Sequence, residues 1–72
     1  MKQKYEFAAV DTQGVEQLAF TLNVSQRQAH SVFSAMAFAM ASDGGWQHLR
    51  VSQVQRNGER KQVNAATIKG GV

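Results

Sequence analysis

The sequence predicts an α+β fold in which a four-stranded sheet, made of two β-hairpins, carries one helix on one face. Residues 4–9 and 17–24 alternate between apolar and polar side chains with the period of a half-buried strand. Between Ser25 and Gly45, apolar residues recur with the spacing of one helix face. A second alternating region, interrupted at Asn57-Gly58, completes the order β-β-α-β-β. A chain of 72 residues suffices for one small domain, residues 1–72, and is too short for a second core.

The first hairpin is predicted from two alternating runs on either side of the turn formers at residues 11–14. A four-residue loop there places Phe7 opposite Leu18 and Tyr5 opposite Phe20, on one face of the sheet. A slip of one residue would set apolar side chains against polar ones, so the pattern favours this register.

The helix is predicted to begin after Ser25. Ser25 and Gln28 have the spacing of a capping box, in which each side chain satisfies a backbone amide of the other residue. Gly44 or Gly45 ends the helix, because glycine readily adopts the left-handed conformation found at helix ends. The predicted buried face consists of Ala29, Val32, Phe33, Met36, Ala39 and Met40.

The second hairpin is predicted from Asn57-Gly58, a strong signal for a type I′ turn with positive φ at both central residues. Pairing Arg56 with Glu59 sets Leu49 opposite Ala66 on the core side. The opposite face then carries Trp46, His48, Arg50, Ser52 and Val54. The predicted core contains Leu18, Phe20, Leu22, Phe33, Met36, Met40 and Leu49, with Tyr5 or Phe7.

The element order resembles that of small β-grasp domains, a resemblance that implies a fold and no function. The last four residues, 69–72, include Gly70-Gly71, and a terminal Gly-Gly after such a fold also resembles ubiquitin-like modifiers. This chain lacks the longer body of those modifiers, and we expect residues 69–72 to be a frayed tail.

Charge is unevenly distributed along the chain. Residues 1–44 carry three basic and four acidic side chains, whereas residues 45–72 carry five basic and one acidic. The second half therefore favours an anionic partner. The apolar run at 32–41 is too short for a bilayer, so no membrane contact is predicted. The absence of cysteine excludes disulfides and is compatible with a reducing compartment, and we expect a cytoplasmic protein.

The second hairpin is the first candidate site. Basic charge combined with flat side chains on a strand pair is typical of nucleic-acid binding, where cations contact phosphates and aromatics stack on bases. The alternative is a solvated face whose charges keep the sheet edge from pairing, with Trp46 closing one end of the core. The candidate nucleic-acid-binding residues are Trp46, His48, Arg50, Arg56, Arg60, Lys61 and Lys69.

Phe38 is the second candidate, because helical spacing places it opposite the buried face. Its neighbours on that side are Arg27, Ser31 and Ser34, and small residues around one aromatic suit a partner or homodimer contact. The alternative is a rotated helix that tucks Phe38 in at the sheet edge.

No catalytic, cofactor or metal motif is present in the sequence. His30 and His48 lie on different predicted elements, and the carboxylates are scattered, so neither a metal centre nor acid–base catalysis is predicted. The sequence therefore predicts a non-enzymatic binding domain. The leading hypothesis is contact with nucleic acid or another anionic partner through the second hairpin. The alternative is a protein-interaction or inhibitor module, a homodimer or a domain docking on a larger protein, of the kind found among phage or bacterial accessory proteins.

Overall fold

A computed structural model describes residues 1–68, so Lys69 and the predicted tail at 69–72 lie outside the described residues. The α+β prediction is confirmed. The elements are strands β1 (Gln3–Asp11), β2 (Glu16–Val24), β3 (Trp46–Val54) and β4 (Arg60–Thr67), with helix α1 (Gln26–Asp43) between β2 and β3.

The four strands form one antiparallel sheet in the order β2-β1-β3-β4. The two hairpins meet along a central seam where β1 pairs with β3, and α1 packs over one face of this sheet. β-grasp sheets instead place their first and last strands side by side and parallel, so the resemblance holds for element order alone.

Helix α1 begins and ends as predicted. The Ser25 hydroxyl accepts a hydrogen bond from the Gln28 amide at 3.2 Å, and the Gln28 side chain accepts one from the Ser25 amide at 3.0 Å. These contacts satisfy two of the amides that a helix start leaves unpaired. At the other end, the Gly44 amide donates a hydrogen bond to the Met40 carbonyl. The backbone φ of Gly44 is 79°, a conformation that favours glycine.

Both hairpins turn through three-residue loops. In the first, the Gly14 amide donates to the Asp11 carbonyl at 3.0 Å, and in the second the Gly58 amide donates to the Gln55 carbonyl at 3.0 Å. Gly14 and Gly58 have φ values of 81° and 87°, whereas Asn57 has negative φ. The predicted type I′ turn is therefore wrong, and the geometry matches a type I turn followed by a left-handed glycine.

The predicted register of the first hairpin is wrong by two residues. Phe7 pairs with Phe20 and Tyr5 with Leu22, and the pairing shifts between Ala9 and Val10. A two-residue slip keeps every side chain on its own face, so alternation could not distinguish the two registers. The observed one stacks the rings of Phe7 and Phe20, with centroids 5.2 Å apart.

The second hairpin keeps its predicted register over the half that is farther from its turn. Leu49 lies opposite Ala66 and Val51 opposite Asn64, as predicted. The pairing then shifts between Val51 and Ser52, which leaves Val63 as an extra residue on β4.

The core lies between α1 and the two central strands. Tyr5 and Phe7 are both buried, whereas Leu18 is 46% exposed and Phe20, Leu22 and Met36 are only half-buried. The prediction that Leu18 is buried is therefore wrong, because β2 is an edge strand and a single helix covers the middle of the sheet. The buried core cluster is Tyr5, Phe7, Ala9, Ala29, Phe33, Met40, Leu49 and Val51.

Candidate functional site

The antiparallel topology gives the sheet two chemically different ends. At one end lie the start of β1, the end of β2, the start of α1 and the β3–β4 turn, since Gln3 pairs with Val24 and Lys4 with Val54. At this end, which we call the basic end, five exposed cationic side chains form no ion pair within residues 1–68. They are Lys2, Lys4, Arg27, Arg56 and Lys61. Glu59 in the β3–β4 turn is the acidic residue that the basic end also carries.

Three of these cations share one open cleft. Lys2, Lys4 and Arg56 line a cleft of about 850 Å³ between the start of the chain and the β3–β4 turn. The side chains of its other lining residues are uncharged, and they include Asn23 and Asn57. An anion in this cleft would therefore meet positive charge and amide groups with no carboxylate among them.

The other end of the sheet, which we call the acidic end, carries Asp11, Glu16 and Asp43. The Asp11 carboxylate accepts hydrogen bonds from the amides of Gln13 and Val15 and from the Gln17 side chain, at 2.8–3.0 Å. The Val15 amide contributes most, and together these bonds hold the pKa of Asp11 below its ordinary value.

Helix α1 reinforces this separation of charge. Arg27 lies in its first turn and Asp43 is its last residue, while the first turn has no acidic and the last turn no basic side chain. Both charges oppose the helix dipole, which is positive at the start and negative at the end. Each placement costs the isolated helix roughly 0.3–1 kcal/mol, so helix stability does not account for either residue.

Two predicted binding residues, Arg50 and Arg60, are already paired with carboxylates. Arg50 Nη2 lies 3.2 Å from Glu16 Oε1, and Arg60 donates to both Glu6 carboxylate oxygens at 2.8 and 3.1 Å. The hydrogen bond and charge of Glu6 raise the pKa of Arg60. Both pairs are exposed and therefore contribute little to stability, yet they neutralise much of the charge on this part of the hairpin.

Trp46 does not lie beside His48 as predicted. The β1–β3 pairing shifts between Val10 and Asp11, and Trp46 turns to the helix side, where it packs against the core. Its indole nitrogen donates to Asp43 at 3.1 Å. Trp46 therefore closes one end of the core, which is the alternative that the sequence analysis gives for it. His48 is half-buried and pairs with Val10 across the seam.

Phe38 lies on the solvent side of α1, as the helical spacing predicts. Its side chain is 76% exposed, and Arg27, Ser31 and Ser34 on the same side of α1 are exposed as well. The rotated helix that would cover Phe38 is therefore not formed.

The described residues hold few other features of a binding site. A smaller cavity of about 300 Å³ beside the start of α1 is lined by Phe33, Tyr5, His30 and several amide side chains. Residues 1–68 contain no group of three or more potential metal ligands. Within the same range, no helix is long and apolar enough to cross a bilayer. Comparison with protein-family models, with curated proteins and with solved structures finds no match for this chain.

Proposed function

We propose that this protein is a non-catalytic domain that binds the phosphate backbone of nucleic acid at its basic end. The observation that carries the proposal is a group of cations that form no ion pair with any described residue: Lys2, Lys4 and Arg56 line one cleft, while Arg50 and Arg60 are engaged with carboxylates. The site thus differs from the hairpin surface that the sequence predicts, and it retains Arg56 and Lys61 from that surface.

Binding at the basic end contacts phosphates and does not involve base stacking. Tyr5, the nearest aromatic of β1, is buried, and Trp46 lies at the acidic end. Five cations offset by Glu59 correspond to about four neutralised phosphates, which gives a slope of log K against log salt of about −2.8 on single-stranded and about −3.6 on duplex DNA. The affinity is therefore steeply salt-dependent and nearly independent of base sequence.

Two double variants that remove equal charge test this assignment. Lys4→Gln with Arg56→Gln removes cleft cations, whereas Arg50→Gln with Arg60→Gln removes paired ones. Fluorescence anisotropy with a labelled 20-nucleotide DNA, single-stranded or duplex, is measured at 50 and 200 mM salt. We expect the cleft variant to bind roughly tenfold more weakly at low salt and the paired variant to stay within about threefold of wild type.

Equal losses in the two variants would show that binding follows net charge alone and would contradict the assignment to the cleft. Absence of any binding at 50 mM salt would refute the function itself. Circular dichroism of both variants checks that the fold is retained, since all four side chains lie outside the core.

A second candidate function rests on Phe38. An aromatic that is 76% exposed among Ser31 and Ser34 suits a partner protein with an apolar pocket for one ring and polar groups around it. Such docking responds weakly to salt. Phe38→Ser leaves the basic end unchanged, so a partner lost by this variant and retained by the cleft variant would assign the protein to this class.

A further inference from the structure

The sheet has two edges, and only one of them is protected against pairing with another strand. The β4 edge begins with Arg60-Lys61 and is interrupted by the extra residue Val63. Charges and bulges of this kind keep edge strands from adding further strands. The β2 edge, Glu16–Val24, has nine residues and contains no lysine, arginine or proline. Its one charged residue, Glu16, is at the end of the strand and binds Arg50.

The apolar side chains of β2 are incompletely covered in the monomer. Leu18 is 46% exposed, and Phe20 and Leu22 are half-buried. Beside them, Leu18 and Met36 line an apolar groove of about 450 Å³ that runs between the sheet and α1. The backbone edge of β2 and this apolar groove lie along the same strand. A strand added to β2 would therefore hydrogen-bond to its backbone and also cover part of the groove.

The β2 sequence is self-complementary about Phe20, the middle residue of the strand. We infer that β2 pairs antiparallel with β2 of a second copy of this chain, with the twofold axis at Phe20. In this register Leu18 lies opposite the partner's Leu22, Ala19 opposite the partner's Thr21, and Gln17 opposite the partner's Asn23. All nine residues are paired. Leucine meets leucine and amide meets amide across the axis, and Glu16 faces the partner's Val24 instead of another charge.

The charge distribution of the monomer also favours a second copy. Antiparallel pairing of the two β2 strands sets the basic end of each protomer beside the acidic end of the other. Arg27 then lies at the same end as the partner's Asp11, whose carboxylate forms no ion pair within residues 1–68 and attracts it. The product is an eight-stranded sheet with both helices on one face, and Phe38 stays exposed on each helix. The inference does not depend on the proposed nucleic-acid binding.

The test uses charges on Ala19 and Thr21, which are exposed on the sheet face that α1 does not cover. Ala19→Lys with Thr21→Lys sets lysine opposite lysine at both positions of the twofold pair. The matched variant, Ala19→Glu with Thr21→Glu, does the same with carboxylates. Oligomeric state is measured by sedimentation equilibrium for wild type, for each variant alone and for their equimolar mixture. Phe38→Ser serves as the control for the other candidate interface.

We expect wild type and Phe38→Ser to dimerise, and each charged variant alone to associate roughly 30-fold more weakly. We expect the mixture to recover dimers, because lysine then faces glutamate across the axis. Recovery also shows that the charged variants are folded. A wild-type monomer at millimolar concentration, dimers of the lysine variant as tight as wild type, or dimers lost in Phe38→Ser would each overturn the inference.

Discussion

Two phenylalanines on one helix allow a controlled test of how the core is organised. Phe33 is 9% exposed and packs in the core, whereas Phe38 is 76% exposed five residues further along α1. Substitution of each by alanine removes the same atoms from the same element. Any difference in the free energy of unfolding therefore reports burial and not helix propensity.

The expected magnitudes follow from these surroundings. Truncating a buried phenylalanine to alanine costs about 3–5 kcal/mol, partly from lost burial and partly from the cavity left behind. The cavity of about 300 Å³ already borders Phe33, so the vacated space joins a volume that water can enter. We therefore expect a loss near the lower limit, about 3 kcal/mol, from a total of about 4–11 kcal/mol for 72 residues. For Phe38→Ala, lost contacts and improved helix propensity nearly cancel, within about 0.5 kcal/mol.

Urea denaturation followed by fluorescence of Trp46, the one tryptophan, measures both values at a single protein concentration. The dependence of the free energy on urea should be the same in wild type and both variants, so that midpoints can be compared. Equal destabilisation by the two substitutions would refute the packing described here, as would a Phe33→Ala variant as stable as wild type.

Three further substitutions probe the local structure. Ser25→Ala removes the oxygen that accepts from the Gln28 amide, and we expect urea denaturation to show a loss of about 1 kcal/mol. Gly58→Ala places a residue with a β-carbon at a backbone φ of 87°. We expect the free energy of unfolding to fall by about 1–2 kcal/mol, even though the added carbon meets no atom within 4 Å. The hydrogen bonds of Asp11 lower its pKa, so its ionised carboxylate stabilises the fold. This stabilisation is fully present above pH 3.8, the ordinary pKa, and disappears as pH falls through the lower pKa of the folded state. We therefore expect Asp11→Asn to lower the melting temperature at pH 7, with the gap to wild type closing below pH 3.8. A difference in melting temperature between Asp11→Asn and wild type that persists in acid would contradict the role given to Asp11. A Gly58→Ala variant as stable as wild type would contradict the turn geometry.

The parts of the fold that the sequence predicts are those set by local chemistry. The cap at Ser25 and Gln28 and the helix end at Gly44 each depend on residues within about one helical turn of each other. Their contacts form in any fold that contains this helix. Spacing therefore sufficed to place them.

The errors arise where backbone irregularities decide which side chains meet. The two-residue slip that pairs Phe7 with Phe20 leaves both alternation patterns intact, so no pattern could reveal it. The shift between Val10 and Asp11 turns Trp46 to the helix side. Such a shift depends on how β1 pairs with β3, and these strands lie far apart in the sequence.

The candidate site was only partly predictable for a similar reason. The charge pattern of the second hairpin indicates Arg56 and Lys61, but it does not show that Arg50 and Arg60 meet Glu16 and Glu6, each across one intervening strand. Charge counting does not single out Lys4, because it belongs to the first hairpin, where acidic residues outnumber basic ones. Only the antiparallel topology brings its side chain to the same cleft as Arg56.

The central seam between β1 and β3 has a consequence for how the chain folds. Each hairpin closes a three-residue loop and can form in microseconds, because its partners are near in sequence. The seam joins residues such as Phe7 and Val51, which are 44 positions apart. Bringing them together costs the conformational entropy of the long segment between them, which includes the helix. We therefore expect the pairing of β1 with β3 to be the slowest step of folding. Until these two strands pair, the edges of β1 and β3 are open to other chains, in addition to the β2 and β4 edges of the folded sheet.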